Sequence, residues 1–153
     1  MLLPERRWPE VLVNQVGPWA VPAELVEGGL REAMAEEGAF EGELSVTFLD
    51  DAGIRAMNLE YFGKDHPTDV IAFSLHEPGE PILGDIYVGY EQARRQASEL
   101  SISLDEELLR LAIHGALHVI GHDHAEGESG AGSEMFRRQE ELLNKVLGRE
   151  ASP

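Results

Sequence analysis

Apolar residues recur along this chain with two different periods. Leu44, Val46 and Phe48 alternate with Ser45 and Thr47, and this period of two indicates a strand with one buried face. In other segments apolar residues recur every three or four positions, which is typical of helices that bury one side. The pattern predicts strands at 10–16, 44–48, 70–75 and 83–88, and helices at 22–37, 51–62, 90–100, 104–120 and 136–146.

The helix at 104–120 has the clearest boundaries. Ser103 and Glu106 form a capping-box pattern, and Gly121 follows the last turn. Its second half, LAIHGALHVIG, is apolar nearly all round, which predicts a central buried helix. Four strands and about five helices in this order predict an α+β fold, in which helices cover a small mixed sheet. A length of 153 residues predicts one domain that spans 1–153.

The composition narrows the class of protein. The chain has no cysteine, which excludes disulfides and Cys-based zinc sites. Its net charge of −17 disfavours broad non-specific binding to nucleic acid, although salt screening leaves room for a local basic groove. No apolar run is long enough to span a membrane, and the N-terminus MLLPERRWPE lacks the apolar core of a secretory signal. We therefore expect a cytoplasmic protein.

Three histidines lie at and just beyond the end of this central helix. His114 and His118 are four residues apart, so on a helix their side chains project from one face and can bind the same ion. Gly121 can adopt the conformation that ends a helix and reverses the chain, which lets His124 return as a third ligand. His122 is the alternative third ligand. The spacing favours His124, and a surface or rim position remains open for His122.

Three protein ligands leave the fourth zinc position open, which is typical of a catalytic site. Such an ion polarises carbonyl or phosphoryl oxygens and activates water, so hydrolysis is the predicted reaction class. Zinc peptidases have a glutamate directly after the first histidine, and this chain has Gly115 there. A peptide or small-molecule hydrolase would need a general base from elsewhere in the chain and is the less favoured interpretation.

Three blocks of the sequence resemble one family. HGALHVIGHDH at 114–124 is similar to the HGxLHLxGYDH signature of the YbeY endoribonucleases. NLEYFGKDHPTDVIAFSL at 58–75 resembles that family's NxxYRxKxxPTDVLSFP block, and LGDIYV at 83–88 resembles a third block in the same order.

The resemblance implies an α+β protein with one Zn²⁺ on His114, His118 and His124. It further implies an endoribonuclease specific for single-stranded RNA, which acts in 3′-end maturation of 16S ribosomal RNA and in ribosome quality control. The partners implied are ribosomal RNA, the small ribosomal subunit and assembly factors, with no DNA and no membrane.

The chain departs from the family pattern at two positions. His122 replaces a tyrosine, and Phe62 replaces an arginine that is important for activity in the family. Phenylalanine cannot grip a phosphate but can stack on a base. Lys64, at the family's lysine position, and Arg55 on the preceding helix are possible substitutes for the missing charge.

The acidic residues near these blocks leave further alternatives open. Asp85 could orient a ligand histidine or take a proton, or it could serve only as a cap or turn residue. Asp69 carries the same two interpretations, and Asp123 could simply cap its turn. A second function also stays open: Phe62 and the charge of −17 would suit a ribosome-assembly or binding factor with a structural zinc and little nuclease activity.

Overall fold

A computed structural model of the protein describes residues 8–121 and 134–149. Those ranges contain four strands and five helices, which confirms the predicted α+β class. In chain order the elements are β1 (Glu10–Val16), α1 (Ala23–Glu36), β2 (Glu43–Leu49), α2 (Asp51–Phe62), β3 (Val70–Ser74), β4 (Leu83–Gly89), α3 (Tyr90–Leu100), α4 (Leu104–Ile120) and α5 (Glu134–Val146).

The sheet is mixed, as predicted, and its strands lie in the order β1-β2-β4-β3. β1, β2 and β4 run parallel, whereas β3 pairs antiparallel with β4 and forms one edge. Successive side chains of a strand point to opposite faces. Ile86 and the backbone of Gly84 therefore face α4, while Asp85 and Tyr87 face the other side of the sheet.

Local signals in the sequence fix the ends of the helices that border the site. Asp50, rather than Asp51, caps α2, because its Oδ1 accepts a hydrogen bond of 2.7 Å from the Gly53 amide. Gly63 ends that helix with a φ of 69°. Ser103 caps α4 through a 3.1 Å bond to the Glu106 amide. The Glu106 carboxylate accepts from Arg110 and Arg149 instead of reaching back to Ser103, so only half of the predicted capping box forms.

α4 is the central buried helix that the sequence predicts. It contacts α1, α3, α5, β3 and β4. Leu108, Leu109, Ile113 and Leu117 are fully buried along it. None of the helices in the described ranges is long and apolar enough to cross a membrane.

Candidate metal centre

Glycines allow the second half of α4 to lie directly on the sheet. A Cβ atom on Gly115 would lie 2.6 Å from Cγ2 of Ile86, and a Cβ on Gly84 would lie 2.4 Å from Cγ1 of Val119. Both distances are shorter than real carbon contacts, so a side chain at either position would push the helix away from the strand. This packing explains why Gly115 occupies the position where zinc peptidases have their glutamate.

The close packing positions His114 and His118 at the β3 edge of the sheet. Both side chains are half-buried, and their Nε2 atoms are 3.2 Å apart. Two tetrahedral zinc ligands with bonds of about 2.0–2.1 Å are themselves about 3.3 Å apart. The two imidazoles therefore fit a single divalent ion without rearrangement of α4.

Gln139 on α5 determines which ring nitrogen of His114 carries the proton. The Nδ1 atom of His114 is 2.6 Å from Oε1 of Gln139, and Nε2 of Gln139 donates to Glu140 Oε2 at 3.0 Å. A carboxylate only accepts, so the NH₂ group of Gln139 must face Glu140 and its oxygen must face the histidine. His114 then carries its proton on Nδ1, and its Nε2 lone pair points toward His118. Ligand histidines are commonly oriented in this way.

The predicted third ligand, His124, lies outside the described residues, as do His122 and Asp123. Within 8–121 and 134–149, no three histidine or acidic side chains are grouped so that they could hold a metal. His114 and His118 are thus the part of the predicted ligand set that the described chain brings together.

A cleft of roughly 260 Å³ opens beside the two histidines, between the end of α2 and the edge strand β3. Asn58 supports one wall, since its buried amide donates to the His66 carbonyl at 2.9 Å and holds the loop after Gly63. None of the described residues that line the cleft is acidic. They are Asn58, Phe62, Lys64, Thr68, Val70, Ile71, Ala72, His114 and His118.

Two of the other predicted polar candidates lie away from this cleft. Asp85 is not brought to the histidines, because strand alternation places its side chain on the sheet face opposite α4. Arg55 forms an exposed 2.8 Å ion pair with Asp65 and does not line the cleft. Lys64 is the predicted cationic candidate that does line it.

Two residues of the site carry no functional signal in the sequence. Gln139 falls at the helical spacing of the apolar residues of α5, and Asn58 begins a sequence block without standing out in it. A signal for Gln139 would have required knowing that α5 packs against the histidine face of α4.

Two helix-borne imidazoles beside a sheet-edge cleft, in an α+β fold, are the arrangement expected of a metal-dependent hydrolase. A family model described as Endoribonuclease YbeY matches residues 21–147, and the chain belongs to that family. This assignment confirms both the resemblance and the interpretation of the chain as an enzyme, a hydrolytic nuclease.

Curated relatives of the same description cover most of the chain. The Endoribonuclease YbeY of Bacillus licheniformis is 45% identical over 132 residues, which is 78% of this chain and 82% of that protein. The Endoribonuclease YbeY of Geobacillus thermodenitrificans is 44% identical over 134 residues, which is 80% of this chain and 85% of that protein. The solution structure of TM1509 from Thermotoga maritima superposes with a TM-score of 0.63 at 30% identity, covering 90% of this chain and 89% of that one.

Proposed function

We propose that this protein is a zinc-dependent endoribonuclease that cleaves single-stranded ribosomal RNA precursors, with a role in 16S rRNA 3′-end maturation and ribosome quality control in the cytoplasm. The observation that carries the proposal is the pair of Nε2 atoms, 3.2 Å apart, at a cleft whose described lining has no acidic residue although the chain is highly acidic. Family membership supplies the substrate class.

The residues of the site have separate tasks in this proposal. His114, His118 and His124 would hold the ion, and Gln139 keeps the His114 proton on Nδ1. The chemistry that a bound zinc supplies is polarisation of a phosphoryl oxygen and acidification of water. Lys64 provides positive charge for a phosphate at the same cleft. The buried amide of Asn58 holds the loop that carries Lys64.

The test combines metal content with cleavage. Mass spectrometry of the purified chain should find about one zinc ion, and single-stranded precursor RNA should be cut. His114→Ala, His118→Ala and His124→Ala should each lower both zinc content and cleavage, the latter by about 100-fold or more, because zinc supplies most of the electrostatic stabilisation.

His66→Ala is the matched control, since His66 is exposed and its ring contacts the Pro67 carbonyl rather than the cleft. It should retain the zinc and the activity. Metal-loaded protein that cuts no ribosomal precursor in a metal-dependent way would rule out the enzymatic proposal.

Phe62 favours a second candidate function, a ribosome-assembly factor in which the metal is structural. It lines the cleft at the position of the family's arginine and offers no charge to a phosphate. In that case Phe62→Arg should leave cleavage near zero, and the histidine variants should lose zinc and melting temperature together. A large gain in cleavage by Phe62→Arg would instead show that the site is a nuclease with a weak phosphate grip.

A further inference from the structure

Two aromatic side chains are exposed at the end of α2. Tyr61 and Phe62 are 58% and 52% exposed, which is unusual for rings of this size. Phe73 of β3 supports both: its ring meets Tyr61 edge-on at 5.1 Å and lies nearly parallel to Phe62 at 6.2 Å. We call Tyr61, Phe62 and Phe73 the aromatic platform. Its rings are held in place by one another while large parts of them remain open to solvent.

The platform is continuous with the proposed active site. Phe62 lines the same cleft as His114 and His118. Lys64 follows two residues later, after the left-handed turn at Gly63, and its amide bonds to the Asn58 carbonyl at 3.3 Å. This turn fixes a flat aromatic ring and a cation at the same wall of the cleft.

The charges around the cleft favour one orientation of a bound nucleic-acid strand. The described lining of the cleft has Lys64 and no carboxylate. Asp85 and Tyr87 lie on the same face of the sheet. Asp85 pairs with Phe73 across the β3–β4 ladder, and the Tyr87 ring contacts the Phe73 ring edge-on. Burial raises the pKa of Tyr87, and the Asp85 carboxylate raises it further. A phosphate is therefore repelled at the Tyr87 side and attracted at the Lys64 side.

We infer that Phe62, supported by Phe73, stacks on an unpaired nucleobase of single-stranded RNA whose neighbouring phosphate lies toward Lys64 and the histidines. The inference rests on the proposed function and adds a substrate-binding residue to it. A nucleotide carries both a π-face and a negative phosphate, so it matches an aromatic ring beside a cation better than an apolar peptide does. In a duplex the base faces are already stacked, so the platform would also select for single strands.

The test uses the purified full chain and a short RNA that carries 2-aminopurine, whose fluorescence falls when it stacks. The fall is recorded by stopped flow on mixing, before cleavage, and KM and kcat are measured in parallel. Phe62→Ala should weaken binding of the single strand about 10- to 100-fold and remove the quenching, since one base stack is lost. Phe62→Trp should restore both, and binding of duplex RNA should not change.

Phe40→Ala is the matched control, because Phe40 is 49% exposed but lines a groove with Glu37, Glu41 and Glu80. It should bind RNA as the unaltered chain does. Single-strand binding without quenching, or equal binding by Phe62→Ala at an unchanged melting temperature, would overturn the inference. Absence of RNA binding by the unaltered chain would overturn it too.

The outcomes separate this inference from the proposed function. Quenching that depends on Phe62 in a protein that never cleaves RNA would retain the platform and reject the nuclease. Metal-dependent cleavage with a KM that does not respond to Phe62→Ala would retain the nuclease and reject the platform.

Discussion

One stripe of polar residues runs along both halves of α4, and its surroundings differ between the two halves. Glu107, Arg110, His114 and His118 follow one another at intervals of three or four residues, so they lie along the same side of the helix. The first two are closed off by partners on α5 and neighbouring turns, and the last two face a cleft. The same helix face therefore serves stability at one end and chemistry at the other.

In the closed half, both charged residues of the stripe have partners. Arg110 donates to Glu106, Glu107 and Glu140, and its side chain is only 18% exposed. Burial raises the pKa of Glu107, although the hydrogen bond from Arg110 opposes that rise. Arg149 closes the network by donating to Glu106.

Gln139 and Glu140 connect the two halves through adjacent positions on α5. Glu140 pairs with Arg110, and Gln139 bonds to both Glu140 and His114. The comparison teaches that His114, a proposed metal ligand, is oriented by a network whose far end is an ion-pair cluster away from the cleft. Three substitutions test how separable the two halves are.

The largest effect is expected from Arg110→Met. It leaves the largely buried Glu107 without its cation and removes a partner of Glu140, which should cost about 3 kcal/mol in the free energy of unfolding by urea at pH 7. Because the pKa of Glu107 is raised in the fold, the folded chain takes up the Glu107 proton at a higher pH than the unfolded chain does. The loss should therefore be smaller at acid pH than at pH 7, since a protonated Glu107 no longer needs the charge of Arg110.

Arg55→Met is the control for this substitution, because the Arg55–Asp65 pair is more than half exposed on both sides. It should leave the free energy of unfolding close to that of the unaltered chain, because solvent screens an exposed ion pair. Equal losses in the two variants would mean that the closed half contributes no more than a surface pair.

A smaller effect, confined to the open half, is expected from Gln139→Leu. Without the amide oxygen, His114 is free to change tautomer, and zinc affinity should fall about 10- to 100-fold in competition with a chelating dye. Gln15→Leu, which removes a side-chain bond on β1 at the sheet edge opposite β3, should leave the affinity unchanged. Unaltered zinc affinity in Gln139→Leu would show that α4 orients His114 unaided.

The smallest effect is expected from Arg149→Ala. The hydrogen bond from Arg149 lowers the pKa of Glu106 against the effect of burial, so their interaction stabilises the fold above the ordinary pKa of a glutamate and is lost as pH falls through the lowered value. Because Arg149 is half exposed, we expect a small loss of stability at pH 7 that disappears in acid.

The control here is Arg137→Ala, whose pair with Glu134 is largely exposed, and it should have no measurable effect. If Arg149→Ala destabilises the chain equally at neutral and acid pH, the contact acts through packing and not through charge.

Elements of the fold were predictable wherever a local signal marks them. The cap at Ser103 and the glycine at Gly121 place both ends of α4 where the structure has them. The histidine spacing likewise predicts the pairing of His114 and His118, because helix geometry alone brings residues four apart together.

What depended on tertiary packing was not predictable. Strand alternation shows that Asp85 and Ile86 face opposite ways, but only the docking of α4 decides which of them faces the histidines. The roles of Gln139 and of Phe62 as a wall of the cleft likewise depend on how α5 and the α2–β3 connection pack.

The close packing of α4 on the sheet also limits the routes by which ligands can reach the site. At Gly115, α4 lies too close to Ile86 to leave room for even a methyl group, so among the described residues the paired imidazoles are reached from the cleft at the β3 edge. An ion and a nucleic-acid strand would then reach the imidazoles through the same opening of the cleft. Loading of the metal should precede arrival of RNA, and bound RNA should slow escape of the ion to a chelator.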